Sequence, residues 1–109
     1  MQSLSALADP TRRRIVELLA AGDRTSGELA EEFDISAPAI SQHLNVLRTA
    51  GLVTTRVAGQ SRIQSLNPAG LDELDTWLRR TREFWSHRLD ALERELRADD
   101  VRKSKKKSS

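Results

Sequence analysis

The 109-residue sequence contains no cysteine, which excludes a disulfide framework, a thiolate metal site and a thiol redox switch. Two histidines, His43 and His87, are what remains for a transition metal, so no metal and no cofactor is expected. No run of about 18 apolar residues occurs, and the N-terminus lacks a basic stretch followed by an apolar core. A cytoplasmic chain without a membrane partner is therefore expected. The length suits one small domain with a modest helical core. No paired carboxylates in a plausible pocket, no glycine-rich phosphate loop and no nucleophile with an ordered base can be traced, which argues against an enzyme.

A further absence is local. The chain carries 18 basic and 16 acidic residues for a net charge of +2, yet no acid occurs between Asp34 and Asp72, where Arg48, Arg56 and Arg62 stand. Such a window attracts a phosphate backbone to one side of the molecule.

What is present centres on Thr25 to Gly51, TSGELAEEFDISAPAISQHLNVLRTAG. Thr25 and Glu28 have the spacing of a capping box, so a helix starts near Ser26. Asp34, Ile35 and Ser36 form a break: Asp tolerates the left-handed conformation, and Ser36 can cap a second helix starting near Ala37. Leu29, Ala30, Phe33 and Ile35 on one side, and Ile40, Leu44 and Leu47 on the other, are the apolar positions that pack the two helices together. The outer face of the second helix, Ala37, Ser41, Gln42, Asn45 and Arg48, is small and polar. Short side chains with hydroxyl and amide tips suit hydrogen bonds to base edges or phosphates. This is the pattern of a helix-turn-helix.

Around it, Leu4, Leu7 and Ala8 have helical spacing and predict a short docked helix over residues 1–8. Asp9 and Pro10 cap and open a helix to about Ala21, with Ile15, Val16, Leu18 and Leu19 inward. Arg12, Arg13 and Arg14 then suit a phosphate contact, an ion pair with the acidic C-terminal helix, or plain solvation. After Gly51, the β-branched and near-alternating LVTTRVAGQSRIQSLN predicts two strands, 52–57 and 61–66, joined by a glycine-bearing turn. This hairpin is a wing, with Arg56, Gln60, Ser61 and Arg62 near its tip and fit for phosphate or minor-groove contact. Asn67 and Pro68 repeat the cap-then-proline start of a long helix to about Arg97, roughly 44 Å at about 1.5 Å per residue. Leu71, Leu74, Leu78, Trp85, Leu89, Leu92 and Leu96 form its apolar stripe, broadened by Trp77 and Phe84. The stripe outruns its own core and predicts a homodimer interface made with the N-terminal helix, through Leu4, Leu7, Leu71, Leu74, Leu78, Trp85, Leu89 and Leu92. Residues 1–97 are then one DNA-binding and dimerisation domain, and 98–109 a disordered basic tail able to add non-specific affinity.

ALADPTRRRIVELL at residues 6–19, GELAEEFDISAPAISQHLNVLRTAGLV at 27–53 and AGQSRIQSLN at 58–67 together resemble the ArsR/SmtB family of bacterial winged-helix repressors, over about residues 4–96. The resemblance implies a mainly α fold of about five helices and a two-stranded wing per chain. It further implies a homodimer with the second helix of the pair in the major groove of an imperfect palindrome in double-stranded DNA. It carries the family's DNA-contacting positions onto Ala37, Pro38, Ser41 and Gln42, with Arg62 in the wing. Joined to the residues read from chemistry, the DNA-binding set is Ser36, Ala37, Pro38, Ser41, Gln42, Asn45, Arg48, Gln60 and Arg62. Metal-sensing members carry cysteines in the first helix of the pair, where this sequence has Thr25 and Gly27. A second family metal site would match Leu74, Thr76, His87 and Asp90, of which only the last two are ligands, so His87 is read as structural or solvated and His43 as packed. The resemblance is to the metal-independent members, and it names no small-molecule inducer.

A sequence-specific DNA-binding regulator, acting as a dimeric repressor through helix 37–50 and wing 52–66, is the reading that unites these features. The alternative is a winged-helix protein-interaction module without sequence-specific DNA binding. An acidic second helix would favour that alternative, and this helix has no acid.

Overall fold

A computed structural model describes residues 2–107, with side-chain surroundings through Asp99. The order is α1 (Gln2–Leu7), α2 (Pro10–Ala21), β1 (Arg24–Thr25), α3 (Ser26–Phe33), α4 (Ala37–Thr49), β2 (Val53–Ala58), β3 (Ser61–Leu66) and α5 (Pro68–Lys107). The chain divides into two compact units, Met1–Leu74 and Asp75–Ser109.

In the first unit α2, α3 and α4 each begin where a side chain satisfies orphan N–H groups of the first turn. Asp9 accepts from the Arg12 N–H at 2.9 Å, and Ser36 accepts from the Ala39 N–H at 3.3 Å. Thr25 and Glu28 form the reciprocal capping box, at 3.0 and 3.1 Å. Asp34 ends α3 in the left-handed conformation at φ 50°, which supplies the sharp break before α4. At the far end of α4, Gly51 takes φ 78°, its N–H bonds the Arg48 carbonyl, and the Leu52 N–H bonds the Leu47 carbonyl. That is the pair of bonds of a Schellman stop.

Ile15, Leu18 and Leu19 of α2, Leu29 of α3, Ile40, Leu44 and Leu47 of α4, with Ala6, Leu52, Val53 and Leu74, make one buried core. Helix α1 turns differently from the expectation. Ser3 and Ala6 are its buried residues, Leu4 is exposed and Leu7 is only half-buried. Small side chains let a two-turn helix lie close, and the Arg12 Nε then reaches the Ala6 carbonyl at 2.6 Å. Arg14 pairs with Glu17 on its own helix at 3.2 Å. Two of the three adjacent arginines, Arg12 and Arg14, thus have partners within the first two helices.

The wing differs by one strand. β2 and β3 pair antiparallel from Val53↔Leu66 to Ala58↔Ser61, leaving a two-residue loop with Gly59 at φ 62°. Glycine at the first loop position is what a type II′ hairpin turn requires. β1 adds antiparallel to the other edge of β3, with Arg24↔Gln64 and Thr25↔Ile63, for a strand order β1-β3-β2. The sheet therefore has three strands, not two, and β3 is its centre. Leu52, expected in the first strand, instead serves the Schellman stop and accepts from the Asn67 N–H at 2.9 Å. Asn67, expected to cap α5, has its carboxamide donating to the Gly51 carbonyl at 2.8 Å.

In the second unit α5 continues to Lys107, well past the end expected near Arg97. No glycine or proline follows Gly70, and the i,i+4 pairs Asp75–Arg79 and Glu93–Arg97 support the helix. The tail expected to be disordered from Ala98 is thus helical as far as Lys107, and its last two residues lie outside the described ones. Leu78, Phe84, Trp85, Leu89, Leu92 and Leu96 stand about half exposed, at 49 to 60%. Phe84 and Trp85 meet edge to face at 5.7 Å, with the Arg88 guanidinium over the Phe84 ring. Among the described residues no helix is long and apolar enough to cross a membrane.

Candidate nucleic-acid interface

Burial of Ile40, Leu44 and Leu47 fixes which way α4 faces. Ser36, Ala37, Pro38, Ser41, Gln42 and Asn45 are left exposed. Ser36 spends one lone pair on the cap and keeps its hydroxyl at the helix start. Arg48 is only half-buried and its Nε is enclosed without a partner, because position 48 lies one turn above Leu44 at the edge of the buried stripe. It belongs to the rim of the face rather than its centre. Asn45 lines a second hollow of about 310 Å³ with Gln2, Ser5, Ala6, Val46, Thr49 and Ala50, on the side of α4 that faces α1.

The sheet brings the wing tip to the helices. Ser41, Gln60, Ser61 and Arg62 line one cleft of about 480 Å³ together with Thr25, Ser26 and Gly27 at the start of α3. The expected wing residues Gln60 and Arg62 therefore meet Ser41. What ties the wing to α3 is Gln64, which sequence reasoning passed over. Its side chain is 1% exposed. The Thr55 hydroxyl donates to its Oε1 at 2.6 Å, and its Nε2 donates to the Ser26 hydroxyl oxygen at 3.0 Å. A buried amide satisfied at both ends costs little to bury and fixes the wing against α3. Only its central position in the three-stranded sheet could have signalled it, and that needed β1.

The acid-free window is not acid-free in space. Asp23, before β1, accepts from Arg56 at 3.2 Å, both side chains being exposed. Arg56 is thereby partly neutralised, while Arg62 remains at the cleft. The carboxyls of Asp9 and Glu28 are held below the usual carboxylate range, Asp9 chiefly by the Arg12 N–H and Glu28 chiefly by the Thr25 N–H. His43, expected to be packed, is partly buried with its Nδ1 3.9 Å from Asp9. Among the described residues no three His, Asp or Glu side chains gather as a metal site. Thr25, at one of the positions matched to metal-sensing cysteines, is committed to its cap.

Two helices joined by a sharp break, with a hairpin beside the exposed face of the second, define a winged helix-turn-helix DNA-binding protein. Comparison with known proteins agrees. The family model described as "Bacterial regulatory protein, arsR family" matches residues 9–55. The HTH-type transcriptional regulator Rv2034 of Mycobacterium tuberculosis is 54% identical over 84 residues, covering 77% of this chain and 76% of that protein. The transcriptional repressor SdpR of Bacillus subtilis is 45% identical over 73 residues, covering 67% of this chain and 81% of its own. The crystal structure of a possible transcriptional regulator for arsenical resistance superposes with a TM-score of 0.69 at 46% identity, covering 78% of this chain and 85% of that one. The chain belongs to the arsR family of bacterial regulatory proteins and is a DNA-binding transcriptional regulator.

Proposed function

We propose that two copies of this chain pair through α5 and repress transcription by occupying an imperfect palindrome at a promoter. In this reading α4 enters the major groove, with Ala37, Pro38, Ser41 and Gln42 reading base edges and Ser36 and Asn45 beside them. Gln60 and Arg62 hold the neighbouring backbone or minor groove, and Arg48 contributes at the rim. The observation that carries the reading is the cleft in which Ser41 of α4 and Arg62 of the wing meet, on an exposed face free of carboxylates among its described lining. Pairing is supported by the stripe from Leu78 to Leu96, whose large apolar side chains stand about half exposed. Burying each of them contributes up to about 1.5–3 kcal/mol, and an isologous contact uses the same stripe twice. Leu71 and Leu74 are spent differently: both pack on their own chain's core, and Leu74 is buried there. The members of the expected interface set left open for pairing are thus Leu78, Trp85, Leu89 and Leu92 on α5 and exposed Leu4 on α1, whereas Leu7, like Leu71, packs partly on the core.

The test is fluorescence anisotropy with an operator duplex recovered by selection from random-sequence DNA. Substituting Ser41→Ala and Gln42→Ala together should cost about 1–3 kcal/mol for each base edge no longer read while leaving affinity for random DNA unchanged. Undiminished discrimination between operator and random DNA would remove α4 as the reading helix. A purified chain that binds no DNA in a salt-sensitive manner would instead support a protein-interaction module.

A further inference from the structure

We propose that the cleft between the start of α3, Ser41 and the wing tip seats one phosphate diester of the DNA backbone in each protomer, with Gln64 holding Ser26 as a donor to it. The proposal rests on the DNA-binding reading above and adds a ligand group and a site to it.

The cleft is lined by donors. Thr25 Oγ1 already accepts from the Glu28 N–H at 3.1 Å, and Ser26 Oγ already accepts from Gln64 Nε2 at 3.0 Å. A hydroxyl that is accepting one hydrogen bond keeps its own proton to give. The orientation of the Gln64 amide follows from its other end, where the Thr55 hydroxyl donates to Oε1. The capping box uses the N–H groups of Thr25 and Glu28, which leaves those of Ser26 and Gly27 without an acceptor inside the helix. Ser41, Ser61, the Gln60 amide and the Arg62 guanidinium complete the lining, and no carboxylate is among the described lining residues. Glu28, the nearest acid in sequence, is turned back to the Thr25 N–H. Hydroxyls, backbone N–H groups and one guanidinium converging on an open cleft suit a monoanionic diester, whose two free oxygens accept and do not donate. The same cleft lies between α4 and the wing, the two elements that the reading above places in neighbouring grooves.

Gly27 offers a variant that tests the seat without harming the fold. A Cβ there meets nothing nearer than Thr25 Oγ1 at 3.9 Å. An acid in the first turn favours the helix dipole, so Gly27→Asp should fold as well as the parent while placing a negative charge in the cleft. Gln64→Glu tests the positioning role: its carboxylate accepts from Ser26 and takes the proton the seat requires, whereas Ser26→Thr keeps the hydroxyl and should bind normally.

The experiment measures anisotropy of the full chain on the selected operator across a salt series, and on operators carrying one uncharged methylphosphonate at each position in turn. The parent should lose roughly tenfold affinity at one phosphate per half-site. Gly27→Asp and Gln64→Glu should bind more weakly and show no further loss at that phosphate. Their salt slope should be shallower by about 0.9 per protomer, at an unchanged melting temperature for Gly27→Asp. Parental affinity and slope in Gly27→Asp, or an equal methylphosphonate effect in both variants and parent, would overturn the seat while leaving DNA binding intact. Absence of operator binding by the parent would overturn the DNA reading and the seat with it. Inorganic phosphate at fixed ionic strength supplies the last arm. A melting temperature raised by phosphate in the parent and not in Gly27→Asp would assign the cleft to a free phosphate ion and refute the diester.

Discussion

Replacing Gly70 by alanine should destabilise the protein, although alanine is the better helix former. Gly70 stands in the first turn of α5, and a Cβ built on it would lie 1.9 Å from the Gly51 carbonyl oxygen and 2.8 Å from its carbon. Heavy atoms pack best at about 3.5 Å, so the backbone of one element must retreat by about 1.5 Å. Inserting a methyl into a filled space costs about 1–3 kcal/mol. The retreat also stretches the bond from the Asn67 carboxamide to that same carbonyl, now 2.8 Å, at a further cost of about 1 kcal/mol. Against this stands a helix-propensity gain of up to about 1 kcal/mol, smaller in a first turn. The net is a loss of about 2–3 kcal/mol, or roughly 10–20 °C in melting temperature for a domain of this size. Thermal unfolding at fixed protein concentration measures it, because pairing makes the midpoint concentration-dependent. Gly27→Ala is the matched control. It has the same chemistry and a similar depth in its helix with open space around the new methyl, so it should be neutral or stabilising. A Gly70→Ala protein as stable as its parent would refute the reasoning.

Three further outcomes follow from particular side chains. Leu78→Asp with Leu89→Asp should turn the dimer into a monomer by sedimentation; a variant that still sediments as a dimer would move the interface off this stripe. Asp23→Ala should release Arg56, raising affinity for random DNA and steepening its salt dependence; an unchanged slope would mean that Arg56 faces away from DNA. The carboxyls of Asp9 and Glu28 titrate lower in the folded chain than in the unfolded one, so their stabilisation is present at neutral pH and lost as pH falls through the folded values. Asp9→Asn with Glu28→Gln keeps an acceptor at each cap and should flatten the acid limb of stability against pH, which denaturant unfolding at successive pH values would detect.

What was legible in the sequence was what is local in the chain. The capping box at Thr25 and Glu28, the left-handed Asp34 and the cap at Ser36 each involve residues within four positions of one another, and the structure repeats them. The alternating strands were readable for the same reason. What was missed joins distant positions. β1 is two residues long and has no period to detect, yet without it β3 reads as an edge and Gln64 as an outward polar residue. Asp23 and Arg56 are separated by 33 positions, so the charge window counted along the chain did not contain the acid that faces it. Glycine at position 70 has no reason within its own helix, and the Gly51 carbonyl explains it. In α1 the period was right but the inward face was wrong, since Ser3 and Ala6 permit an approach that leucines would not.

The one backbone turn at Gly51 then has a consequence for how DNA is read. The Schellman stop of α4, the start of β2 and the first turn of α5 share it: the Leu52 N–H bonds α4, the Leu52 carbonyl accepts from Asn67, and the Gly51 carbonyl accepts from the Asn67 side chain while Gly70 lies against it. Three segments with different tasks are tied through two adjacent peptide groups, without a flexible linker between them. The middle of the wing, where Gln64 pairs with Thr55, is tied again through Gln64 to Ser26. With its base and its middle held, the wing moves with α4 as one surface, and a displacement of the first turn of α5 carries Gly51, and with it the end of α4, along with it.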